Sequence, residues 1–328
     1  MWFEELMGFA EGAPEQVRAQ IAHEGEDIVS RVNGRRVRCG RLELPSLGAL
    51  RRRAAELPAR RAAVREVVAD VGALHRAPEN AGALFQAASQ FNLLEMVDPS
   101  VTPEAGVGIY ERDRTQGPTC AIACGGGTIF RNYFVSLDGQ LGQTAARQID
   151  CLGELGVELA EGGELPWRMR NGYALATAEG LRRVNTRLAA ASAGERDQLR
   201  GLLGVGVQHD VEVLGTEHLV TQVYGSALPV SYGEPPRPLW EPLARLVLEA
   251  SYEATLLVAQ EQRIERVFLT LLGGGVFGND EAWIGDSVLR ALAAAGGGLD
   301  VRIVSYGRPS PAVGRIVAAW ADGRAAVG

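Results

Sequence analysis

The chain contains no lysine; all 33 of its basic residues are arginine. That absence removes the phosphate lysine of a Walker loop, the strand lysine of a protein kinase and any lysine Schiff base. Three large enzyme classes are thereby excluded on chemical grounds. Cysteine is scarce: Cys39, Cys120, Cys124 and Cys151 are too few and too scattered for a disulfide scaffold. Cys120 and Cys124 lack the further cysteine or histidine cluster of a zinc site and read as small buried apolar residues. The histidines, His23, His75, His209 and His218, fall in separate segments and read as surface or satisfied core residues. Positive charge is also short. With a net charge of −7 and a pI near 5.3, no basic surface calls for nucleic acid. No apolar run reaches membrane-spanning length, and Met1-Trp2-Phe3-Glu4-Glu5 lacks the basic segment of a signal peptide. A cytoplasmic protein with no membrane partner is expected.

What is present suits a folded domain of 328 residues, since 46% hydrophobic content supplies ample core. Residues 1–80 read as an accessory layer and 81–328 as the catalytic domain. In the first part, short helices are expected over 3–9 and 16–23. A hairpin follows over 28–44, where Asn33-Gly34 supplies the positive φ of a tight turn. From 47 to 74 the spacing of Val64, Val67, Val68, Val71 and Leu74 predicts helix, interrupted near Pro58. The second part predicts a strand over 83–88, helices over 141–155 and 179–190, and strands over 203–213 and 219–230. An amphipathic helix then carries Leu239, Leu243, Leu246, Val247, Ala250, Ala254 and Leu257 on one stripe. Gly125-Gly126-Gly127 reads as a structural turn and Gly296-Gly297-Gly298 as a helix stop.

The last unit is the clearest. Val267-Phe268-Leu269-Thr270-Leu271-Leu272 is a continuous apolar run, as expected of a parallel strand buried on both faces. A glycine loop follows, Gly273-Gly274-Gly275-Val276-Phe277-Gly278, then a helix over 283–295 and a second apolar strand over 299–305. This is a right-handed βαβ unit, and the fold class is α/β. A glycine-rich turn between a buried strand and a helix lets backbone N–H groups approach phosphate closely, without a lysine. Gly273, Gly275 and Gly278 also satisfy G-x-G-x-x-G. A dinucleotide fold, however, places that loop after its first strand and an acid at the end of the next, whereas Asp300 precedes its strand here.

The strand, glycine loop and helix resemble the diphosphate loop of macrodomains. That resemblance implies a macrodomain-like mixed sheet flanked by helices, with an N-terminal helical and hairpin extension. It implies that Gly273, Gly274, Gly275, Val276 and Gly278 wrap a diphosphate while Phe277 packs on the distal ribose, with Asn279 and Trp283 near the pocket. Phe85-Gln86-Ala87-Ala88-Ser89-Gln90-Phe91-Asn92 and the acidic loop after it take the place of the segment that holds the proximal ribose in macrodomains and poly(ADP-ribose) glycohydrolases. Gln90, Asn92, Glu95 and Asp98 would then contact ligand.

Three further stretches sharpen the likeness: Leu94-Glu95-Met96-Val97, Tyr110-x-x-Asp113-x-Thr115-Gln116-Gly117-Pro118 and Arg131-Asn132-Tyr133-Phe134. Together they resemble the arginine-specific, MavL-like class of macrodomain ADP-ribosyl hydrolases, from about Leu6-Met7-Gly8-Phe9 to Tyr306-Gly307. The resemblance implies hydrolysis of the ADP-ribose–arginine bond on a modified protein, with ubiquitin among the candidate targets and ADP-ribose as product, and no separate cofactor or metal. Asp113 would act with Glu104 or Glu111 at the proximal ribose, and Glu95 and Asp98 compete with Glu104 for a place among the acids. Carboxylates suit this reaction because cleavage passes through an oxocarbenium-like state and the leaving group is a planar guanidinium. The alternatives are a reader that binds ADP-ribose without turnover, and an NAD(P)-dependent oxidoreductase using the same glycine loop.

Overall fold

The computed structural model describes residues 1–54 and 60–323. Seven strands form the central sheet: β1 (Arg41–Glu43), β2 (Ala63–Val68), β3 (Leu84–Ala88), β4 (Gly206–Glu212), β5 (Leu219–Gly225), β6 (Arg266–Leu269) and β7 (Asp300–Ser305). They lie in the order β1-β4-β5-β3-β6-β7-β2. Only β4 opposes its neighbours; β5, β3, β6, β7 and β2 are mutually parallel. The protein is therefore an α/β fold with a mixed sheet flanked by helices.

The middle strands are buried as their apolar sequences require. Phe85 of β3 stacks on Phe268 of β6 at 4.5 Å and on the His75 ring at 3.7 Å. The helix Arg237–Gln262 buries Leu243, Leu246, Val247, Ala250, Ala254 and Leu257 as its stripe predicts. It packs on the helix Glu281–Ala295, which completes the β6–helix–β7 crossover. No helix among the described residues is long and apolar enough to cross a membrane.

The N-terminal segment is more deeply integrated than an accessory layer. Residues up to 40 form the helices Trp2–Met7 and Pro14–Gln20 and a three-stranded sheet, in which Ile28 faces Val37 across the expected hairpin. Beyond that point, β1 and β2 are the two edges of the central sheet, so a boundary at residue 80 cuts through it. The helix expected over 47–74 is instead a helix Leu47–Arg53, the strand β2 and a helix Val71–Arg76; Pro58 lies outside the described residues. Val64, Val67 and Val68 fit helical spacing, but they are β-branched, and β7 offers β2 a parallel partner along its whole length.

The helix expected over 141–155 is also absent. Ser136–Leu137 and Gln140–Leu141 pair as a hairpin about Asp138 and Gly139, both at positive φ, and helix begins only at Gly153–Glu158. Between them the Gln143 side chain bonds the Asn92 and Arg131 carbonyls and the Ile149 N–H, replacing helical partners. Gly125-Gly126-Gly127 is not a turn: it opens the helix Gly125–Tyr133.

Candidate active site

A cavity of about 320 Å³ opens at the carboxyl ends of β3, β5 and β6, where parallel sheets commonly bind ligands. One wall is the glycine turn: Gly273, Gly275, Val276 and Phe277 line it. The turn is closed internally, with Gly274 N–H donating to the Leu271 carbonyl, Gly278 N–H to Gly275 and Asn279 N–H to Gly273. Among the described residues, the N–H groups of Gly275, Val276 and Phe277 donate to no protein acceptor. Three successive free donors on residues that line a cavity are the kind of backbone group that holds an anion.

Glycine is required here for two different reasons. Gly273 and Gly278 sit at φ +68° and +72°, which a side chain rarely tolerates. Gly275 would place a Cβ into open space with nothing within 4 Å, so its lack of a side chain leaves room on the ligand side. Gly274, with Ile284 3.1 Å from its would-be Cβ, packs away from the cavity. Asn279 does not line the cavity either; its Nδ2 donates to the Leu228 carbonyl at 2.8 Å and braces the turn. Trp283 lies buried in the following helix, also outside the lining. That helix adds less positive character than its position suggests, because Asp280 caps it with a bond from the Ala282 N–H.

Further lining comes from 88–97 and 113–117. Gln90 lines the cavity but spends its amide on the loop, accepting from the Met96 N–H at 2.9 Å and donating to the Met96 carbonyl at 3.2 Å. This closes a turn in which Leu93 sits at φ 64°. Glu95 emerges from the turn buried. Its backbone N–H donates to the Tyr110 hydroxyl at 3.0 Å, and its Oε1 has no partner. Gly117 makes space for it: a Cβ there would meet Glu95 Oε2 at 2.5 Å. Burial pushes the Glu95 carboxyl well above the usual carboxylate range, the nearby Arg131 guanidinium partly offsets this, and Asp113 adds to the rise. Asp113 lines the same wall, with Oδ1 accepting from the Thr115 N–H at 2.8 Å.

Other acids of the loop go elsewhere. Glu104 accepts from the Ala145 N–H at 2.9 Å, and Glu111 accepts from the Trp2 N–H at 3.0 Å; neither lines the cavity. Asp98 is occupied by the backbone and hydroxyl of Ser100. Asn92 is buried behind the wall, bonded to Gln148 and to the Leu94 N–H. The expected roles of Glu104 and Glu111 at a ribose thus meet a structural use: each is a surface carboxylate that satisfies a backbone N–H of another segment. Asp300 lies at the amino end of β7, remote from the cavity, and pairs with Arg65 and Arg302. The ribose acid of a dinucleotide site is therefore missing from the place where it would serve.

Sequence reasoning missed the aromatic side of the cavity. Tyr173 and Tyr232 pack about Phe277 with ring centroids 5.2 to 5.7 Å apart, and Tyr173 donates its hydroxyl to the Met96 carbonyl at 2.7 Å. Tyr173 follows the positive-φ pair Asn171-Gly172 in a hairpin of Trp167–Arg170 with Tyr173–Ala176, a tight-turn signal that was available in the sequence.

The motif Arg131-Asn132-Tyr133 also finds its place. Arg131 donates to the Leu93 carbonyl, Asn132 to the Pro103 carbonyl and the Tyr133 hydroxyl to Glu11. Glu11 in turn accepts from the Val107 and Gly108 N–H groups. The end of one helix and the N-terminal segment together brace the loops that lead to Glu95 and Asp113.

No protein family model matches the chain, and no curated protein matches it. Among solved structures it is similar to poly(ADP-ribose) glycohydrolase from Deinococcus radiodurans in complex with ADP-ribose. The identity is 15% and the TM-score 0.46, over 84% of this chain and 92% of that one. It is also similar to poly(ADP-ribose) glycohydrolase from Thermomonospora curvata, at 16% identity and TM-score 0.43 over 94% and 95% of the two chains. These are distant likenesses, and an activity for this chain has to be argued from its own cavity.

Proposed function

We propose that this chain is an ADP-ribosyl hydrolase of macrodomain type that releases ADP-ribose from arginine of a modified protein. The observation that carries this reading is the meeting of two sets of groups in one cavity: the free N–H groups of Gly275, Val276 and Phe277, and the carboxyls of Glu95 and Asp113. The first suits a diphosphate, which needs several donors and no lysine. The second suits a glycosidic carbon at which positive charge develops. Phe277 with Tyr173 and Tyr232 offers apolar surface to a ribose or base between them.

In the proposed reaction the C1″–N bond breaks and its electron pair leaves with the guanidine nitrogen. Water adds its oxygen to C1″; Asp113 accepts the water proton and returns it to the leaving guanidine, which departs as guanidinium. Glu95, whose burial favours the protonated form, donates a hydrogen bond to a ribose hydroxyl and holds the sugar for attack. The arginine linkage rests on the likeness of the segment from Tyr110 to Pro118 to the arginine-specific class, and ubiquitin is one target to include.

The test is release of free ADP-ribose from arginine-ADP-ribosylated protein, with serine- and glutamate-linked substrates beside it. Release from arginine alone is expected. Release from another linkage would keep the hydrolase and replace its specificity. Tight binding of ADP-ribose with no release from any substrate would make the chain a reader.

A further inference from the structure

Arg131 is a buried cation with no ion pair among the described residues. It is 1% exposed, and its guanidinium donates to three neutral oxygens: the Leu93 carbonyl at 3.2 Å, Gln208 Oε1 at 3.2 Å and Thr128 Oγ1 at 3.0 Å. Its flat face lies 3.7 Å from the Tyr224 ring centroid. Burying an arginine against neutral partners is costly, and the arrangement around it is built rather than incidental. Leu93 adopts φ 64°, an unfavourable conformation for a branched side chain, and Gly206 of β4 leaves the space its side chain needs. A Cβ on Gly206 would come within 2.3 Å of Leu93 Cδ1. Two residues beyond this turn is Glu95, buried in the cavity wall with an unpartnered Oε1.

We propose that Arg131 is a positioning residue for Glu95: by gripping the Leu93 carbonyl it fixes the strained turn that delivers the Glu95 carboxyl into the cavity. The inference rests on the reading of the cavity as a hydrolase site. The guanidinium does not line the cavity; it acts through the turn and through its charge, which no acid among the described residues pairs. The titratable and charged groups that act on Glu95 electrostatically are Arg131 from the helix Gly125–Tyr133, Asp113 and Tyr110 from the acidic loop, Cys120 from the helix Gln116–Ala123, Tyr173 from the hairpin and Tyr224 from β5. Arg131 is the one cation among them. It opposes the effect of burial, so removing it favours the protonated carboxyl further.

Two substitutions separate the charge from the grip. Arg131→Met removes both, and Arg131→Lys keeps the charge but has no planar fork to span the three acceptors that the guanidinium serves from separate nitrogens. The Glu95 carboxyl is followed by ¹³C NMR through pH, assigned by its loss in Glu95→Gln, so the readout does not depend on turnover. In Arg131→Met the Glu95 titration is expected to move to higher pH, and the alkaline limb of kcat to move with it. Arg131→Lys is expected to keep the limb in place while kcat falls roughly tenfold or more at unchanged KM. A folded Arg131→Met with unmoved Glu95 titration would overturn the charge effect. An Arg131→Lys enzyme with wild-type kcat would overturn the positioning role, and it decides alone if the Met variant does not fold. If the wild type binds ADP-ribose but releases none, the hydrolase reading fails, and the Glu95 titration still tests the link to Arg131.

Discussion

Of the chain's three glycine triplets, Gly125-Gly126-Gly127 and Gly273-Gly274-Gly275 are identical in composition, and the fold uses them in opposite ways. The first starts a helix and removes side chains so that the helix can lie hard against its neighbours. A Cβ on Gly126 would meet Val37 Cγ1 at 2.9 Å and the Arg38 carbonyl at 3.0 Å; one on Gly127 would meet Gln208 at 3.0 Å. The second ends a strand, and Gly275 faces open space on a cavity wall beside three free N–H groups. One triplet is emptied for protein, the other for something that is not protein. What separates them is the element before each: a buried parallel strand leaves its turn at the carboxyl edge of the sheet, where a ligand can reach it.

The largest effect that would break this contrast is on binding. Gly275→Glu places bulk and negative charge beside the free N–H groups, so ADP-ribose affinity measured by calorimetry is expected to fall by about 100-fold or more, with little change in melting temperature. Unchanged affinity would remove the phosphate role from the turn. Asp113→Ala, in the same cavity, is expected to abolish turnover while leaving affinity nearly intact; comparable loss of both would make Asp113 a binding residue.

The contrast between cavity and core extends to buried ionisable groups. Glu95 is unpartnered in the cavity, whereas His75 is satisfied in the core: Nδ1 bonds the Val71 carbonyl at 2.8 Å and Nε2 faces the Gln222 amide at 3.0 Å. Burial pulls the His75 pKa down to about 4. The folded imidazole stays neutral while the unfolded chain takes up its proton near 6.5, so this contribution is complete above that pH and is lost as pH falls toward 4. About 3 kcal/mol of stability should disappear over that window. Chemical denaturation at pH 7 and pH 4 checks it, because the stability lost between the two should be smaller in His75→Gln than in the wild type by about 3 kcal/mol.

Legibility followed the same line between local and distant. The run from Val267 to Leu272, its glycine turn and the helix after it are contiguous, so the βαβ unit and one cavity wall could be read directly. The valines of β2 could not, because the edge of β7 that recruits them lies more than two hundred residues away. Among the loop acids, the expectation set Glu104 and Glu111 beside Asp113, and Glu95 among the ligand contacts, competing with Glu104 for a place among the acids. What distinguishes them is which backbone N–H reaches each, and the donor for Glu111 is Trp2, at the far end of the chain. Tyr232 reaches Phe277 from another turn altogether.

A smaller effect sharpens the comparison at the level of a single methyl group. Gly126→Ala must push a Cβ against a backbone carbonyl that cannot move without shifting its strand, so a loss of about 1–3 kcal/mol is expected. Gly275→Ala meets nothing within 4 Å and is not at positive φ, so stability should change by no more than about 0.5 kcal/mol. Its methyl group instead enters the space beside the free N–H groups, and ADP-ribose affinity should weaken several-fold. Paired denaturation and calorimetry on the two alanine variants therefore carry the argument in its smallest form. A stability loss at Gly275 equal to that at Gly126 would mean that both triplets serve packing, and the cavity would lose its reason for a bare wall.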